Sequence, residues 1–152
     1  VDETYVGGKS KNRKSHVPAK EAVVALVERD GRVRSAHVPA VTSKNVREVM
    51  VQQISRKSYI MTDESVVYPS IGREFAGHGT VNHSIEEYVR GGFWHTNTVE
   101  NYFSILKRGI TGTYHHVSQQ HLKRYLAEFD FRYNERGNEV TLVKRFEHAK
   151  TE

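Results

Sequence analysis

The chain has 152 residues, of which 23 are lysine or arginine and 18 are aspartate or glutamate, so its formal net charge is +5 at pH 7. This length predicts one domain with a substantial buried core, and the basic balance favours an anionic partner. The absence of cysteine excludes disulfides, thiolate zinc sites and a cysteine nucleophile, and the lack of a long apolar run or a leader pattern predicts a soluble segment without a membrane span.

The first part of the chain has the patterns of β-strands. Residues Val1 to Val6 alternate in polarity until Gly7-Gly8, and the apolar run from Ala22 to Glu28 is typical of a buried strand. The turn Arg29-Asp30-Gly31-Arg32 leads into a further strand that ends at Val38, which predicts a hairpin. Because the chain opens without methionine inside a predicted strand, we expect further sequence upstream in a parent polypeptide.

A helix and another strand follow the hairpin. Thr42 or Ser43 is suited to cap a helix, and the apolar residues of that helix recur at helical spacing: Val46, Val49, Met50 and Ile54. The short apolar strand Tyr59-Ile60-Met61 leads into Thr62-Asp63-Glu64. Asp63 is therefore predicted at the carboxyl end of a strand, where open α/β sheets expose their functional groups.

The patterns between this strand and the centre of the chain are weaker. Val66 to Phe75 predicts an interrupted helix, and Gly77-His78-Gly79 predicts a turn. Thr80 to His83 predicts a short strand, and Ile85 to Gly92 predicts an irregular connection.

The stretch from Trp94 to Thr113 has the strongest helical pattern. Its apolar residues recur at steps of three and four: Val99, Tyr102, Phe103, Leu106 and Ile110. A neighbouring face carries polar residues: Asn97, Glu100, Ser104, Lys107 and Arg108. A carboxylate and two cations therefore lie about one and two turns apart, on a face suited to an anion. Thr96, Asn97 or Thr98 is the predicted N-cap, and Gly109 or Gly112 the predicted end.

The last part of the chain predicts two more helices. One starts at Ser118 or Gln119, and its apolar stripe is Leu122, Tyr125, Leu126, Phe129 and Tyr133; the other runs from about Leu142 to Ala149. The complete order of elements predicts an α/β fold, in which a mixed sheet has helices packed on its faces.

The segment from Lys9 to Lys20 is basic and has no periodicity. It carries Lys9, Lys11, Arg13 and Lys14. Two interpretations fit it equally, a solvated basic loop and a loop that contacts phosphate groups.

Three acidic residues occupy places suited to a metal site. Asp2 lies on the first predicted strand, Asp63 ends the fourth, and Glu100 lies on the central helix. Phosphodiester chemistry uses oxygen ligands for Mg²⁺, and two such ions activate the attacking oxygen and stabilise the leaving one. Each acid also has a plain interpretation: a solvated strand-end acid, a helix N-cap and half of a charge pair, respectively.

Five segments together carry a family resemblance: DETYVGGK at 2–9, TDES at 62–65, VNHS at 81–84, HTNTVENYFSILKRGITGTYHHVS at 95–118, and HLKRYLAEFDFRYNER at 121–136. In these segments the chain resembles the catalytic domain of DDE-type transposases of bacterial insertion sequences, in the ISXO2-like group related to Merlin elements. The resemblance implies a single ribonuclease H-like domain over residues 1–152. It also implies that the N-terminal DNA-recognition region usual in the family is absent from this sequence.

The resemblance implies that Asp2, Asp63 and Glu100 hold two Mg²⁺ ions, for which Mn²⁺ substitutes. Asn97, one turn before Glu100, is the alternative third site residue. Lys107 is implied to contact DNA near the reaction centre, and its alternative is a plain surface lysine. Arg108, His95, Asn97 and the basic loop with Lys9, Lys11, Arg13 and Lys14 are the other predicted DNA contacts.

The implied activity is cleavage of a phosphodiester at the end of an insertion sequence by water, followed by attack of the freed 3′-hydroxyl on target DNA. The implied partners are double-stranded DNA and further copies of the chain, with no membrane, in the bacterial cytoplasm at the nucleoid. Two alternatives stay open: a structure-specific nuclease on the same fold, and a catalytically inactive, domesticated DNA-binding module.

Overall fold

The computed structural model of the chain describes residues 1–7, 20–81, 97–114 and 117–136. Its strands are β1 (Asp2–Val6), β2 (Glu21–Val27), β3 (Val33–Val38), β4 (Tyr59–Thr62) and β5 (Gly77–Thr80). Its helices are α1 (Ser43–Gln53), α2 (Tyr68–Gly72), α3 (Asn97–Gly109) and α4 (Gln119–Asn134), and a π-helical segment, Ile110–Tyr114, continues α3. The predicted loop at 9–20, the connection at 85–92 and the helix at 142–149 lie wholly or almost wholly outside the described residues.

The strands form an antiparallel sheet in the order β1-β2-β3 and a parallel pair of β4 with β5. The backbone nitrogen of Val1 donates to the carbonyl oxygen of Met61 at 2.7 Å, so the start of β1 lies alongside β4. The observed architecture is therefore mixed α/β with helices packed against strands, and the predicted hairpin of β2 with β3 is confirmed.

The antiparallel sheet has one hydrophobic core on each face, because neighbouring residues of a strand point in opposite directions. One core joins the sheet to α3 and α4 and includes Val6, Val23, Ala25, Val33, Val99, Tyr102, Leu106, Leu122 and Leu126. The other joins it to α1 and α2 and includes Ala22, Val24, Leu26, Val38, Val46, Met50, Tyr68 and Ile71. Every apolar residue that the central-helix pattern singled out is buried, so that prediction is confirmed.

Polar side chains of α4 seal the outer edge of β3. Asp130 accepts hydrogen bonds from the backbone nitrogen of Ser35 at 2.7 Å, from the Ser35 hydroxyl at 2.8 Å and from the Tyr102 hydroxyl at 2.5 Å. Asn134 accepts from the backbone nitrogen of Val33 at 2.7 Å and donates to its carbonyl at 3.0 Å. These contacts satisfy backbone groups that an edge strand otherwise leaves unpaired. They also tie α3 and α4 to one place on the sheet.

Two local predictions are wrong. The predicted turn at Gly77-His78-Gly79 belongs to β5, which pairs in parallel with β4 and places Gly77 opposite Tyr59. A Cβ atom at Gly77 would come within 2.6 Å of the Tyr59 ring, so glycine here allows close packing rather than a turn. The helix predicted from Val66 to Phe75 is limited to α2, with proline in its first turn and no side-chain cap.

The remaining boundaries agree with the sequence patterns. Thr42 caps α1 by accepting a hydrogen bond from the backbone nitrogen of Asn45 at 3.2 Å. Ser118 is the N-cap residue of α4, and α3 ends at Gly109 as one of the two predicted ends. Among the described helices, none is both long and apolar enough to cross a membrane.

The close approach of α3 and α4 depends on Gly109. A Cβ atom at this position would meet the Phe129 ring at 2.2 Å, whereas one at Gly112 would meet nothing within 4 Å. We expect Gly109→Ala to lower the free energy of unfolding by about 1–3 kcal/mol through overpacking, despite the better helix propensity of alanine. Gly112→Ala is the matched control and should change stability by less than about 1 kcal/mol. Urea denaturation of both variants measures the difference, and equal effects would contradict this account of α3 packing.

Candidate metal centre

Three carboxylates from two neighbouring strands converge at one point. Asp2, Glu3 and Asp63 each place an oxygen within 4.8 Å of the others, and all three side chains are partly buried. Asp2 and Glu3 begin β1, and Asp63 follows the last residue of β4. The hydrogen bond from Val1 to Met61 sets the two strands in this relation. The structure thus brings Asp2 and Asp63 together, as the sequence predicted.

Asp2 lies on the sheet face that α3 covers. It pairs with Ala25 of β2, which belongs to the core shared with α3 and α4. Its Oδ1 accepts a hydrogen bond from the backbone nitrogen of Glu3 at 2.8 Å. Burial raises the pKa of Asp2 to about 6, the hydrogen bond acts against this rise, and the charges of Asp63 and Glu3 add to it. A cation at this point would relieve both the burial cost and the repulsion.

Glu3 was not among the predicted site residues. It pairs with Val24 and so lies on the opposite sheet face from Asp2, where its Oε2 accepts a hydrogen bond from the Tyr68 hydroxyl. Tyr68 is only 1% exposed, and burial followed by the Glu3 contact raises its pKa. Burial also raises the pKa of Glu3, although the Tyr68 hydrogen bond acts in the other direction. Two adjacent acids at the start of a strand were the sequence signal for this cluster.

Asp63 is fixed by the turn that leaves β4. Its Oδ1 accepts a hydrogen bond from the backbone nitrogen of Ser65 at 3.0 Å, a side-chain turn that aspartate often makes. The Thr62 hydroxyl donates to the Asp63 carbonyl at 2.8 Å and lies 2.9 Å from Nε2 of His78. The alternative of a helix N-cap is wrong, because α2 starts at Tyr68 and its N-cap residue is Val67.

The structure does not bring Glu100 into the cluster of three carboxylates. Glu100 lies in the first turn of α3 with an exposed side chain, and its carbonyl accepts a hydrogen bond from the Ser104 hydroxyl at 3.0 Å. The residue before it, Val99, is buried in the core on the Asp2 face. Glu100 therefore lies on a helix that packs against the same sheet face as Asp2. Its carboxylate is not among the three whose oxygens lie within 4.8 Å of one another.

The predicted DNA contacts divide between described and undescribed parts of the chain. Lys107 and Arg108 lie in the last turn of α3 and are exposed. Asn97 is the first residue of α3. The other predicted contacts lie outside the described residues: Lys9, Lys11, Arg13, Lys14 and His95.

The raised pKa of Asp2 predicts how the stability of the metal-free protein depends on pH. The ordinary value is 3.8 and the folded value is about 6, so the folded state binds the proton more tightly than the unfolded state does. The stabilisation of the folded state by protonated Asp2 is fully present below pH 4 and is lost as the pH rises through 6. The free energy of unfolding of Asp2→Asn should therefore be about 1–2 kcal/mol higher than that of the unmodified chain at pH 8, after discounting for solvent screening. At pH 4 the two free energies should be nearly equal.

Urea denaturation in a chelating buffer between pH 4 and pH 8 measures this dependence. The matched control is Glu48→Gln, which removes an exposed carboxylate from α1 and should show no such trend. A difference between Asp2→Asn and the unmodified chain that does not vary with pH would contradict the assigned cause.

Comparison with known proteins identifies a family whose match spans this site. The family model described as an ISXO2-like transposase domain matches residues 1–134, which includes all three clustered carboxylates and Glu100. Searches of curated proteins and of solved structures gave no match. Since the family model covers most of the chain, the protein belongs to the family of ISXO2-like transposase domains.

Proposed function

We propose that this chain is a DDE transposase catalytic domain that cuts DNA at insertion-sequence ends and joins it to target DNA, with divalent metal ions. Membership in the transposase family supports a role in transposition. The observation that carries the proposal further is the convergence of Asp2 and Asp63 from two neighbouring strands. Family membership and this geometry both favour the same chemistry.

The arrangement of the strands supports a ribonuclease H-like fold as part of the proposal. An antiparallel β1-β2-β3 sheet lies beside the parallel pair of β4 and β5, with helices on both faces of the antiparallel sheet. The acids occupy the first strand, the end of the fourth strand and a later helix. We treat residues 1–152 as one such domain.

The residues present fit a divalent ion such as Mg²⁺, or Mn²⁺ in its place. Asp2 and Asp63 offer carboxylate oxygens, the ligand type that Mg²⁺ prefers, and burial raises the pKa of Asp2 in the absence of a positive charge. Two bound ions would activate the attacking oxygen and stabilise the leaving oxygen of the phosphodiester. The contribution of the chain is to hold the two carboxylates close together at neighbouring strands before DNA arrives.

We propose Glu100 as the third acid of the site. It follows Val99, whose burial fixes the first turn of α3 against the face that carries Asp2. Its exposed carboxylate lies in the first turn of that helix. Asn97, one turn earlier, is the alternative third residue, although an amide is a weaker ligand for Mg²⁺ than a carboxylate.

Glu3 has a different proposed role from the three predicted acids. Glu3 occupies a position on the sheet face opposite Asp2, and its carboxylate, which has an oxygen within 4.8 Å of those of Asp2 and Asp63, is held by the buried hydroxyl of Tyr68. This contact joins β1 to α2, the helix that follows Asp63 along the chain. Glu3 and Tyr68 therefore hold the two strands that carry the proposed metal ligands in register.

Substrate DNA would lie along the exposed side of α3. Lys107 and Arg108 are two turns past Glu100 and exposed, so they are placed to contact backbone phosphates beside the reaction centre. The basic loop with Lys9, Lys11, Arg13 and Lys14 would add contacts of the same kind. Action on paired DNA ends also calls for more than one copy of the chain.

The catalytic test is nicking of a DNA duplex that carries the ends of the parent insertion sequence, with Mg²⁺ or Mn²⁺. We expect Asp2→Asn, Asp63→Asn and Glu100→Gln each to lower the nicking rate by at least about 100-fold, since even supporting residues of metal sites cost 10–100-fold. Glu48→Gln is the control and should keep full activity. The nicking rate of Asn97→Ala, compared with that of Glu100→Gln, decides whether Asn97 or Glu100 is the third residue of the site.

The products separate the alternatives. Joined product between element ends and target DNA supports a transposase, whereas nicking alone supports a nuclease on the same fold. DNA binding without nicking, in a folded chain supplied with metal, would contradict the catalytic proposal and favour a DNA-binding module.

A second test concerns the cations of α3. Lys107→Ala with Arg108→Ala should weaken DNA binding equally for all sequences and lower the slope of log affinity against log salt by about 1–2, because each phosphate contact releases about one counterion. Lys44→Ala, an exposed lysine in the first turn of α1, is the control. An unchanged salt slope in the double variant would remove this face of α3 from the proposed DNA path.

A further inference from the structure

The side chain of His78 lies on β5, beside the end of β4 that leads into Asp63. His78 pairs with Ile60 of β4, and Thr62 lies two residues further along that strand. Side chains two apart on a strand share a face of the sheet. His78, Ile60 and Thr62 therefore share a face, and Ile60 belongs to the core that includes α2. This places an imidazole close to the residue that precedes a proposed metal ligand.

Two hydrogen bonds meet at the Thr62 hydroxyl. Its oxygen lies 2.8 Å from the carbonyl oxygen of Asp63 and 2.9 Å from Nε2 of His78. A carbonyl only accepts hydrogen bonds, and a hydroxyl has one proton to donate. Both bonds therefore form only when Thr62 donates to Asp63 and accepts from an N–H at Nε2 of His78. Thr62 is 0% exposed, so losing either partner leaves a buried polar group unsatisfied.

The other side of the His78 ring packs against α2. A Cβ atom at Gly72 would come within 2.3 Å of Nδ1 and 2.4 Å of Cγ of His78, so the ring lies directly against the backbone at Gly72. Burial lowers the pKa of the imidazole, and the ring therefore carries a single N–H above neutral pH. The contact with α2 on one side and with Thr62 on the other fixes the direction of that N–H.

These contacts hold Asp63 at two points. Its carbonyl accepts from the Thr62 hydroxyl, and its Oδ1 accepts from the backbone nitrogen of Ser65 at 3.0 Å. The first bond fixes the backbone of Asp63, and the second fixes its side chain relative to the following turn. Because Asp2 and Glu3 place like-charged groups beside this carboxylate, a fixed backbone keeps Asp63 within the cluster.

We propose that His78 is a positioning residue for Asp63: its Nε2–H holds the Thr62 hydroxyl, and that hydroxyl holds the backbone from which the carboxylate extends. The inference rests on the proposed function, since it takes Asp63 as a ligand of a divalent ion. Partners of this kind orient a ligand before the ion binds, and their loss lowers metal affinity about 10–100-fold. In this role His78 acts through Thr62 and contacts neither the ion nor DNA.

The first experiment measures the tautomer of His78 in the 152-residue chain, without metal and at pH 8. Two-dimensional NMR of the ¹⁵N-labelled imidazole distinguishes a protonated ring nitrogen from a bare one. We expect the proton on Nε2 and the bare nitrogen at Nδ1, and Thr62→Val should shift the Nε2 resonance because the acceptor is lost. A proton on Nδ1 would overturn the proposal, since Nε2 of His78 would then have no proton to donate.

The second experiment measures Mn²⁺ affinity of the same chain by isothermal titration calorimetry. His78→Leu and Thr62→Val should each lower the affinity by at least about tenfold. The double variant should bind no more weakly than the weaker single variant, because both changes remove the same series of bonds. His78→Gln should keep most of the affinity, since its amide retains an N–H donor.

The matched control is His121→Leu, the same change at an exposed histidine of α4, which should bind Mn²⁺ like the unmodified chain. Gly72→Ala is an independent route to the same effect. It leaves His78 and Thr62 unchanged but displaces the ring by the close approach described above, so it should also lower Mn²⁺ affinity. Urea denaturation without metal checks that each variant is folded before its affinity is compared.

The results separate this inference from the proposed metal site. Mn²⁺ affinity that falls in Asp63→Asn but is unchanged in His78→Leu would overturn the role of His78 and leave the metal site standing. Equal affinity of Asp63→Asn and the unmodified chain would remove Asp63 from the metal site, and both proposals would fail. A loss in His78→Leu that also occurs in full in His78→Gln would show that ring packing matters and the N–H does not, which contradicts the proposal.

Discussion

The candidate site requires acidic side chains to lie close together, and the backbone hydrogen bonds of β1 hold them there. Burial first, and the nearby charge of Asp63 to a smaller extent, raise the pKa of Asp2 to about 6. Side-chain contacts alone would let such groups separate. Instead β1 is fixed against β2 along its whole length and against β4 through the bond from Val1 to Met61. The stability of the sheet maintains this arrangement against the burial and the like charges that raise the pKa of Asp2.

The same strand divides its two acids between two layers of the structure. Asp2 faces α3 and α4, and Glu3 faces α2, where Tyr68 holds it. This division explains how adjacent residues have different surroundings: Asp2 lies on the face that α3 covers, and Glu3 joins β1 to the helix that follows Asp63.

The position of α3 relative to the acids is fixed by contacts at the β3 edge of the sheet, the edge opposite β1. Tyr102 of α3 donates to Asp130 of α4, and Asp130 in turn accepts from the backbone and hydroxyl of Ser35 at the edge of β3. Burial, followed by the Asp130 contact, raises the pKa of Tyr102 and keeps it a donor. These bonds, with the buried stripe of α3, fix the helix that carries the proposed third acid and the proposed DNA contacts.

Local patterns in the sequence were enough to predict much of this structure. Apolar residues at helical spacing predicted α1, α3 and α4, since a helix that buries one face needs that spacing whatever it packs against. The hairpin of β2 and β3 and the place of Asp63 after β4 were predicted for similar reasons. The resemblance identified the family, which the family comparison confirms; the assignment of Asp2, Asp63 and Glu100 as metal ligands stays a proposal.

Only the tertiary structure decided which groups meet. Gly77 and Gly79 have the composition of a turn, yet they lie in β5 and pair in parallel with β4, where a side chain at Gly77 would meet the Tyr59 ring. Glu3 joins the carboxylate cluster although strand alternation places it opposite Asp2, because the end of β4 lies beside both. Periodicity describes one element at a time. Contacts between elements depend on strand order, register and the space between side chains, and those are fixed only when the whole chain packs.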